Sequence, residues 1–218
     1  MNKEYILFDL DGTLTDPKIG ITKSTQYALA HFGINTENPD DLCKHIGPPI
    51  RTSFKEYGLT DAEVEEAVSK YRERFVDVGI YENTMYQGVD EMLQKLQDSG
   101  KTLILATSKV AAYAQIILEH FNLAKFFTFV SGSELNGDRS EKSEVIQYAL
   151  DQNNISDLSK CIMIGDRKYD IVGAKAIGID SIGVLYGYGD YEELSQAGAD
   201  HIVKDVDALS DLLHTRLF

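Results

Sequence analysis

The chain has little of what a disulfide scaffold, a membrane anchor or a nucleic-acid binder requires. Its two cysteines, Cys43 in a polar segment and Cys161 opening an apolar run, form neither a disulfide framework nor a zinc-ligand pattern. No apolar stretch approaches the ~20 residues that a membrane-spanning helix needs. No secretory leader precedes the first predicted strand, so a reducing cytoplasm is the expected compartment. Positive charge is scarce: 21 Lys and Arg stand against 35 Asp and Glu, giving a formal charge of −14. Such a field repels nucleic-acid polymers and anionic membrane surfaces. Internal repeats, low-complexity tracts and long linkers are also missing from the pattern.

What is present is the composition of a globular protein, 43% hydrophobic and 26% charged over 218 residues. That length makes one large or two small domains and buries roughly 70% of the unfolded chain's surface. The acidic field also opposes a small phosphate ester. A site for one therefore needs a bound cation and a few well-placed lysines to reverse the potential locally.

The opening stretch carries the strongest local signal. The apolar run Tyr5-Ile6-Leu7-Phe8 ends in Asp9-Leu10-Asp11-Gly12-Thr13-Leu14-Thr15-Asp16. Side chains alternate along a strand, so Asp9 and Asp11 share a direction, and Gly12 lets the backbone leave the sheet at once. Two acids so placed can divide a nucleophile's role from a proton donor's. Aspartates after a strand also serve as turn formers, and Asp-Gly is an ordinary turn signal.

Helical spacing follows over residues 21–32 and 61–78, which predicts an all-helical insert after the first strand. From Gly88 the pattern alternates: a helix with Val89, Met92, Leu93 and Leu96 on one stripe, then strands over 102–106, 127–130, 161–164, 181–184 and 201–203 with helices between. This predicts an α/β class, a Rossmann-like parallel sheet with helices on both faces plus a small helical cap domain. The core is expected over 1–14 and 87–218 and the cap over 15–86. The glycine-rich segment 183–189 reads as a flexible surface turn, because it lacks the context of a nucleotide fingerprint.

Ligands of open parallel sheets bind beyond the carboxyl ends of the strands. Those ends carry Asp9 and Asp11; Thr107-Ser108-Lys109; and Gly165-Asp166-Arg167-Lys168-Tyr169-Asp170, with Lys142 opening a helix after the third strand. Thr107 and Ser108 are expected at a helix start, where exposed N–H groups favour an anion. Each group has a plainer reading: helix capping for Thr107 and Ser108, a solvated surface charge for Lys142, a cap and an exposed acid for Asp166 and Asp170. All four in this order argue for a joint role. In this arrangement the chain resembles the haloacid dehalogenase-like hydrolases, whose four motifs match Asp9-Leu10-Asp11-Gly12-Thr13, Thr107, Lys142, and Gly165-Asp166 with Asp170.

The resemblance implies a Mg²⁺-dependent phosphatase working through an aspartyl phosphate. It makes Asp9 the nucleophile and Asp11 the general acid and base, with Lys142 offsetting the negative charge. Thr107 and Ser108 would hold the phosphate. Asp9, the carbonyl of Asp11, Asp166 and Asp170 would serve the metal. An aspartate at position 11 argues for phosphoryl transfer over dehalogenation.

Substrate choice is expected from the cap segment Ile46-Gly47-Pro48-Pro49-Ile50-Arg51, with Gly47, Pro48, Pro49, Arg51 and Arg139 as candidate specificity residues and His45 beside them. The cap segment resembles that of phosphoglycolate phosphatases and bacterial 5′-nucleotidases. The segment from Gly132 to Lys142, with Gly-Ser-Glu-Leu and Arg-x-x-Lys, is more similar to the 5′-nucleotidase branch. Expected partners are a small phosphate ester, no nucleic-acid polymer and no membrane, in a monomer or weak homodimer. Phosphoglycolate is the alternative substrate, and a sugar phosphomutase the more distant alternative.

Overall fold

Tyr5–Phe8 forms β1, and its apolar run is buried because a central parallel strand is covered on both faces. The computed structural model describes residues 3–215, so the outermost ends of the expected core span fall outside the described residues. After β1 come β2 (Thr15–Asp16), α1 (Lys18–His31), α2 (Ile50–Lys55), α3 (Asp61–Arg74) and β3 (Thr84–Met85). Then follow α4 (Val89–Asp98), β4 (Thr102–Val110), α5 (Ala111–His120), β5 (Phe127–Ser133), α6 (Lys142–Gln152), β6 (Cys161–Gly165), α7 (Lys168–Ile177), β7 (Asp180–Val184), α8 (Tyr191–Ala197), β8 (His201–Val203) and α9 (Val206–Thr215). The chain divides into two compact units, one of Met1–Asp16 with Met85–Phe218, the other Pro17–Thr84.

In the first unit six strands pair in the order β5-β4-β1-β6-β7-β8, all parallel. This is the α/β architecture expected from the alternating pattern. One sheet face packs Leu7, Ile104, Ala106 and Met163 against Val145, Ile146 and Ala149 of α6 and Ala174 of α7. The alternate residues Ile6, Phe8, Leu103, Leu105, Ile162 and Ile164 point the other way and are equally buried, so both faces are covered. Because β1 lies between β4 and β6, the segments that leave these three strands start side by side at one edge. Connections diverge from that point, the usual place for a ligand in an open α/β sheet.

The second unit is helical. Its longest helix pair is α1 and α3, and α3 opens with a capping box in which Thr60 and Glu63 satisfy each other's backbone N–H groups. The helix expected over 61–78 is regular only to Arg74 and then widens into a π-type turn over Phe75–Gly79. There Gly79 meets Gly20 of α1 so closely that a methyl group on Gly20 would collide with the Gly79 carbonyl. Among the described residues no helix is long and apolar enough to cross a membrane.

Candidate active site

The loop after β1 is shaped by backbone bonds before any side chain matters. The Asp9 N–H donates to the Ile164 carbonyl at 2.9 Å, which keeps the chain on β6 for one residue past β1. The N–H groups of Thr13, Leu14 and Thr15 then all turn back to the Leu10 carbonyl, and the Gly12 N–H donates to the Thr15 carbonyl at 2.7 Å. Gly12 sits at φ +84°, and a side chain there would run into the Asp166 carboxylate. Glycine is thus required twice, for the left-handed turn and for the approach of β6's exit.

Four strand exits and helix starts bring the acids together. Asp9, Asp166 and Asp170 are all buried, with one carboxylate oxygen from each lying within 4.8 Å of the others. The Lys142 ammonium sits among them, 2.9 Å from Asp9 Oδ1 and 2.8 Å from Asp170 Oδ1, and donates to the Ala106 carbonyl at 3.1 Å. Asp170 Oδ2 accepts the Arg167 N–H at 3.1 Å, so α7's first turn holds this acid against the lysine. Asp11 has a lysine of its own: Lys109 Nζ is 2.7 Å from Asp11 Oδ2.

Burial and repulsion set the protonation of this cluster. Burial raises Asp166 well above the usual carboxylate range, and the charges of Asp170 and Asp9 push it the same way. Burial also raises Asp170, with Lys142 opposing and Asp9 adding to the rise, and it settles at about 6. Asp11 is raised by burial against the pull of Lys109. Burial works against the ammonium of Lys142, but Asp170 and Asp9 override it and hold the side chain charged.

Thr107 and Ser108 reach this edge by a route that the sequence does not signal. The expected strand end at residue 106 and helix start at 107 are corrected by the structure: β4 runs on to Val110, and α5 begins at Ala111. Pairing with β5 shifts register between Ala106 and Val110, so Thr107, Ser108 and Lys109 occupy an irregular strand end instead of a helix N-terminus. The bulge is fixed by Ser133 Oγ donating to the Ser108 carbonyl at 2.9 Å and by the Lys109 N–H donating to Thr107 Oγ1 at 3.3 Å.

The remaining candidates lie in contacts of their own. Arg139 donates to the Gly132 carbonyl at 2.9 Å, pairs with Glu134 and lies 3.8 Å over the Tyr148 ring, which fastens the loop after β5. In the helical unit Arg51 makes a two-pronged pair with Glu65, at 2.6 and 2.9 Å. His45 is buried beside Tyr57 Oη at 2.8 Å, and Gly47 takes φ +106° in the turn before α2, where Pro48 and Pro49 follow.

The segment 183–189, read from sequence as a surface turn, is a wall of the acid cluster. The Tyr188 N–H donates to Asp166 Oδ2 at 2.7 Å, and a methyl group on Gly187 would collide with the Asp166 side chain. Tyr186 Oη donates to the Thr13 carbonyl at 3.0 Å and Tyr188 Oη pairs with Asp16, so both rings brace the loop after β1. Tyr86 stacks edge-on against Tyr186 with ring centres 5.0 Å apart. Position at the carboxyl end of β7 was the available signal, because the rule that points to β1, β4 and β6 applies equally there.

Three buried carboxylates against one shared ammonium leave an excess of negative charge, and all the donors are oxygen. That set suits a hard divalent cation, which would lower the cost of burying Asp9 and Asp166 together. The carboxylate of Asp11 is outside the trio, since it turns to Lys109.

A model of the family described as haloacid dehalogenase-like hydrolase matches residues 6–184. A 5′-nucleotidase of Pseudomonas aeruginosa is 44% identical over 96% of this chain and 95% of its own. A phosphoglycolate phosphatase of Colwellia psychrerythraea is 30% identical over 90% of each chain. A crystal structure described as a "predicted phosphatase" from Clostridium acetobutylicum superposes with a TM-score of 0.95 at 45% identity, covering 98% of this chain and 99% of that one.

Proposed function

This chain belongs to the haloacid dehalogenase-like hydrolase family, and from that premise we propose that it is a phosphomonoesterase acting on small esters, with nucleoside 5′-monophosphates as the preferred substrates. The observation that carries the reading is the Lys142 ammonium held between Asp9 and Asp170 beside a second acid, Asp11, that has a separate lysine. Two carboxylates in different surroundings are what nucleophilic attack and proton transfer demand of one site.

In this reading an oxygen of Asp9 attacks phosphorus while the ester P–O bond breaks, and Asp11 gives its proton to the departing alcohol oxygen. Asp11, now ionised, takes a proton from water; that water's oxygen bonds to phosphorus, the Asp9–phosphorus bond breaks, and inorganic phosphate leaves with both acids restored. Lys142 is held charged by its two acid neighbours, so it can balance charge on Asp9 and the transferring oxygens. Thr107 and Ser108 would hold those oxygens. A divalent cation, taken here as Mg²⁺, would be held by Asp9, Asp166 and the Asp11 carbonyl with Asp170 in support, and would supply electrostatic neutralisation for an anionic ester approaching a chain of charge −14.

Preference for nucleotides rests on the 44% identity to a 5′-nucleotidase against 30% to a phosphoglycolate phosphatase. It also rests on the Gly-Ser-Glu-Leu segment at residues 132–135. We take the protein as a cytoplasmic monomer or weak homodimer, with its helical unit, Gly47 to Arg51 included, contributing to substrate choice. The test is release of inorganic phosphate, with Mg²⁺ present, from nucleoside monophosphates, phosphoglycolate and sugar phosphates in parallel. A kcat/KM at least about tenfold higher for one nucleotide than for phosphoglycolate is expected, a difference of 1.4 kcal/mol in transition-state binding. The reverse order would move the assignment to phosphoglycolate.

A further inference from the structure

Lys109 is a buried charged side chain at the site's edge to which the reading above gives no step of its own. It leaves the irregular end of β4, where its backbone is held on three sides: by Thr107 Oγ1, by Ser133 through Ser108, and by β5 at Gly132, where a methyl group would stand 2.6 Å from the Lys109 carbonyl. Its side chain is 7% exposed, that of Asp11 10%, and the ammonium meets Asp11 Oδ2 at 2.7 Å. The other oxygen, Asp11 Oδ1, is buried with no hydrogen-bond partner among the described residues. Ion pairs this enclosed lose little of their geometry to solvent, unlike surface pairs.

We propose that Lys109 is the positioning residue of Asp11: by fixing Oδ2 it fixes the carboxyl plane and presents Oδ1 as the oxygen that carries the proton to and from the substrate. This rests on the phosphatase reading. A carboxyl group without that tether can turn about its last torsion, which is broad and two-fold, and a proton donor out of line loses most of its value. The site thus uses its lysines separately, Lys142 for the nucleophile and Lys109 for the acid.

Leaving-group chemistry separates positioning from mere support. An alkyl phosphate needs a proton on its departing oxygen, whereas p-nitrophenolate departs without one. We expect K109M to lower kcat for a nucleoside monophosphate by about 10- to 100-fold with KM within about threefold, and to lower the ratio of alkyl to aryl kcat at least about tenfold. K109R should recover part of that ratio, and K109M should add nothing further when Asp11 is already asparagine. Equal losses on both esters, or a full further loss in the D11N background, would overturn the role. Should K109M not fold, K109Q is read by the same ratio. Wild-type protein that releases phosphate from neither ester overturns the phosphatase reading, and the positioning role with it. Wild type active on both, with an unchanged ratio in K109M, overturns the positioning role alone.

Discussion

Two buried lysines stand at opposite edges of one sheet. Lys3, just before β1, is 1% exposed and pairs with Asp180 at 2.6 Å while donating to the Ser159 carbonyl at 2.7 Å. Lys142, beyond the far edge, is 5% exposed and touches two carboxylates and the Ala106 carbonyl. Burial and pairing are therefore common to both. What differs is the surplus of acid. Asp180, the carboxylate paired with Lys3, is 42% exposed and the pair sets one charge against one, whereas Asp9, Asp166 and Asp170 outnumber the ammonium at the other edge. A balanced pair fixes the approach to β1, whereas a surplus of buried acid suits a cation. A buried lysine by itself says nothing of catalysis.

The sharpest attack on this comparison removes the proposed nucleophile. D9N should cost at least about 10⁴-fold in phosphate release while its thermal unfolding stays close to wild type, and retained turnover would refute the assignment. The lysines come next. K142M should lower kcat by about 10³-fold, the range of a lost electrostatic stabiliser. K3M should keep kcat within about twofold and lower stability by about 1–2 kcal/mol, the cost of a stranded partner reduced by that partner's exposure. Similar kinetic losses in both variants would erase the distinction.

A smaller effect follows from protonation. Asp170 sits at about 6 in the folded chain against an ordinary 3.8, and Asp166 is raised well above that ordinary value too. The folded state therefore binds more protons than the unfolded one between those values. Metal-free protein should gain stability from these groups as pH falls from 7 toward 4, and lose it as pH rises through about 6. Added Mg²⁺ should raise the melting temperature at pH 7 and have little effect at pH 4.5, where protons occupy the same oxygens. A melting temperature unmoved by Mg²⁺ at neutral pH would argue against the cation. The least effect is expected in the helical unit, where R51A breaks an exposed pair with Glu65; its stability should fall by less than about 1 kcal/mol, so a larger change in substrate KM would be kinetic evidence for a specificity role.

How far the chain could be read from its letters depends on what each feature rests on. The apolar run before Asp9, the helix start at Lys142 and the alternation of strands and helices are local patterns, and they led to the α/β sheet that is observed. The bulge at Thr107 to Lys109 was illegible because no glycine or proline marks it; it arises from pairing with β5, which is distant in sequence. The contact of Tyr188 with Asp166 was illegible because a backbone N–H, which every residue but proline owns, makes it. The π-type turn at Phe75–Gly79 likewise depends on Gly20, more than fifty residues earlier. The task of Lys109 was hidden for a related reason: its place in the motif is visible, but the oxygen it meets is a matter of geometry.

The most direct test of the account follows the phosphoryl group itself. Wild-type protein mixed with a nucleoside monophosphate labelled at phosphorus and quenched in acid within a turnover should carry the label on the peptide that contains Asp9, and D9N should carry none. Label found on another residue, or phosphate formed with no protein-bound label at any quench time, would contradict it.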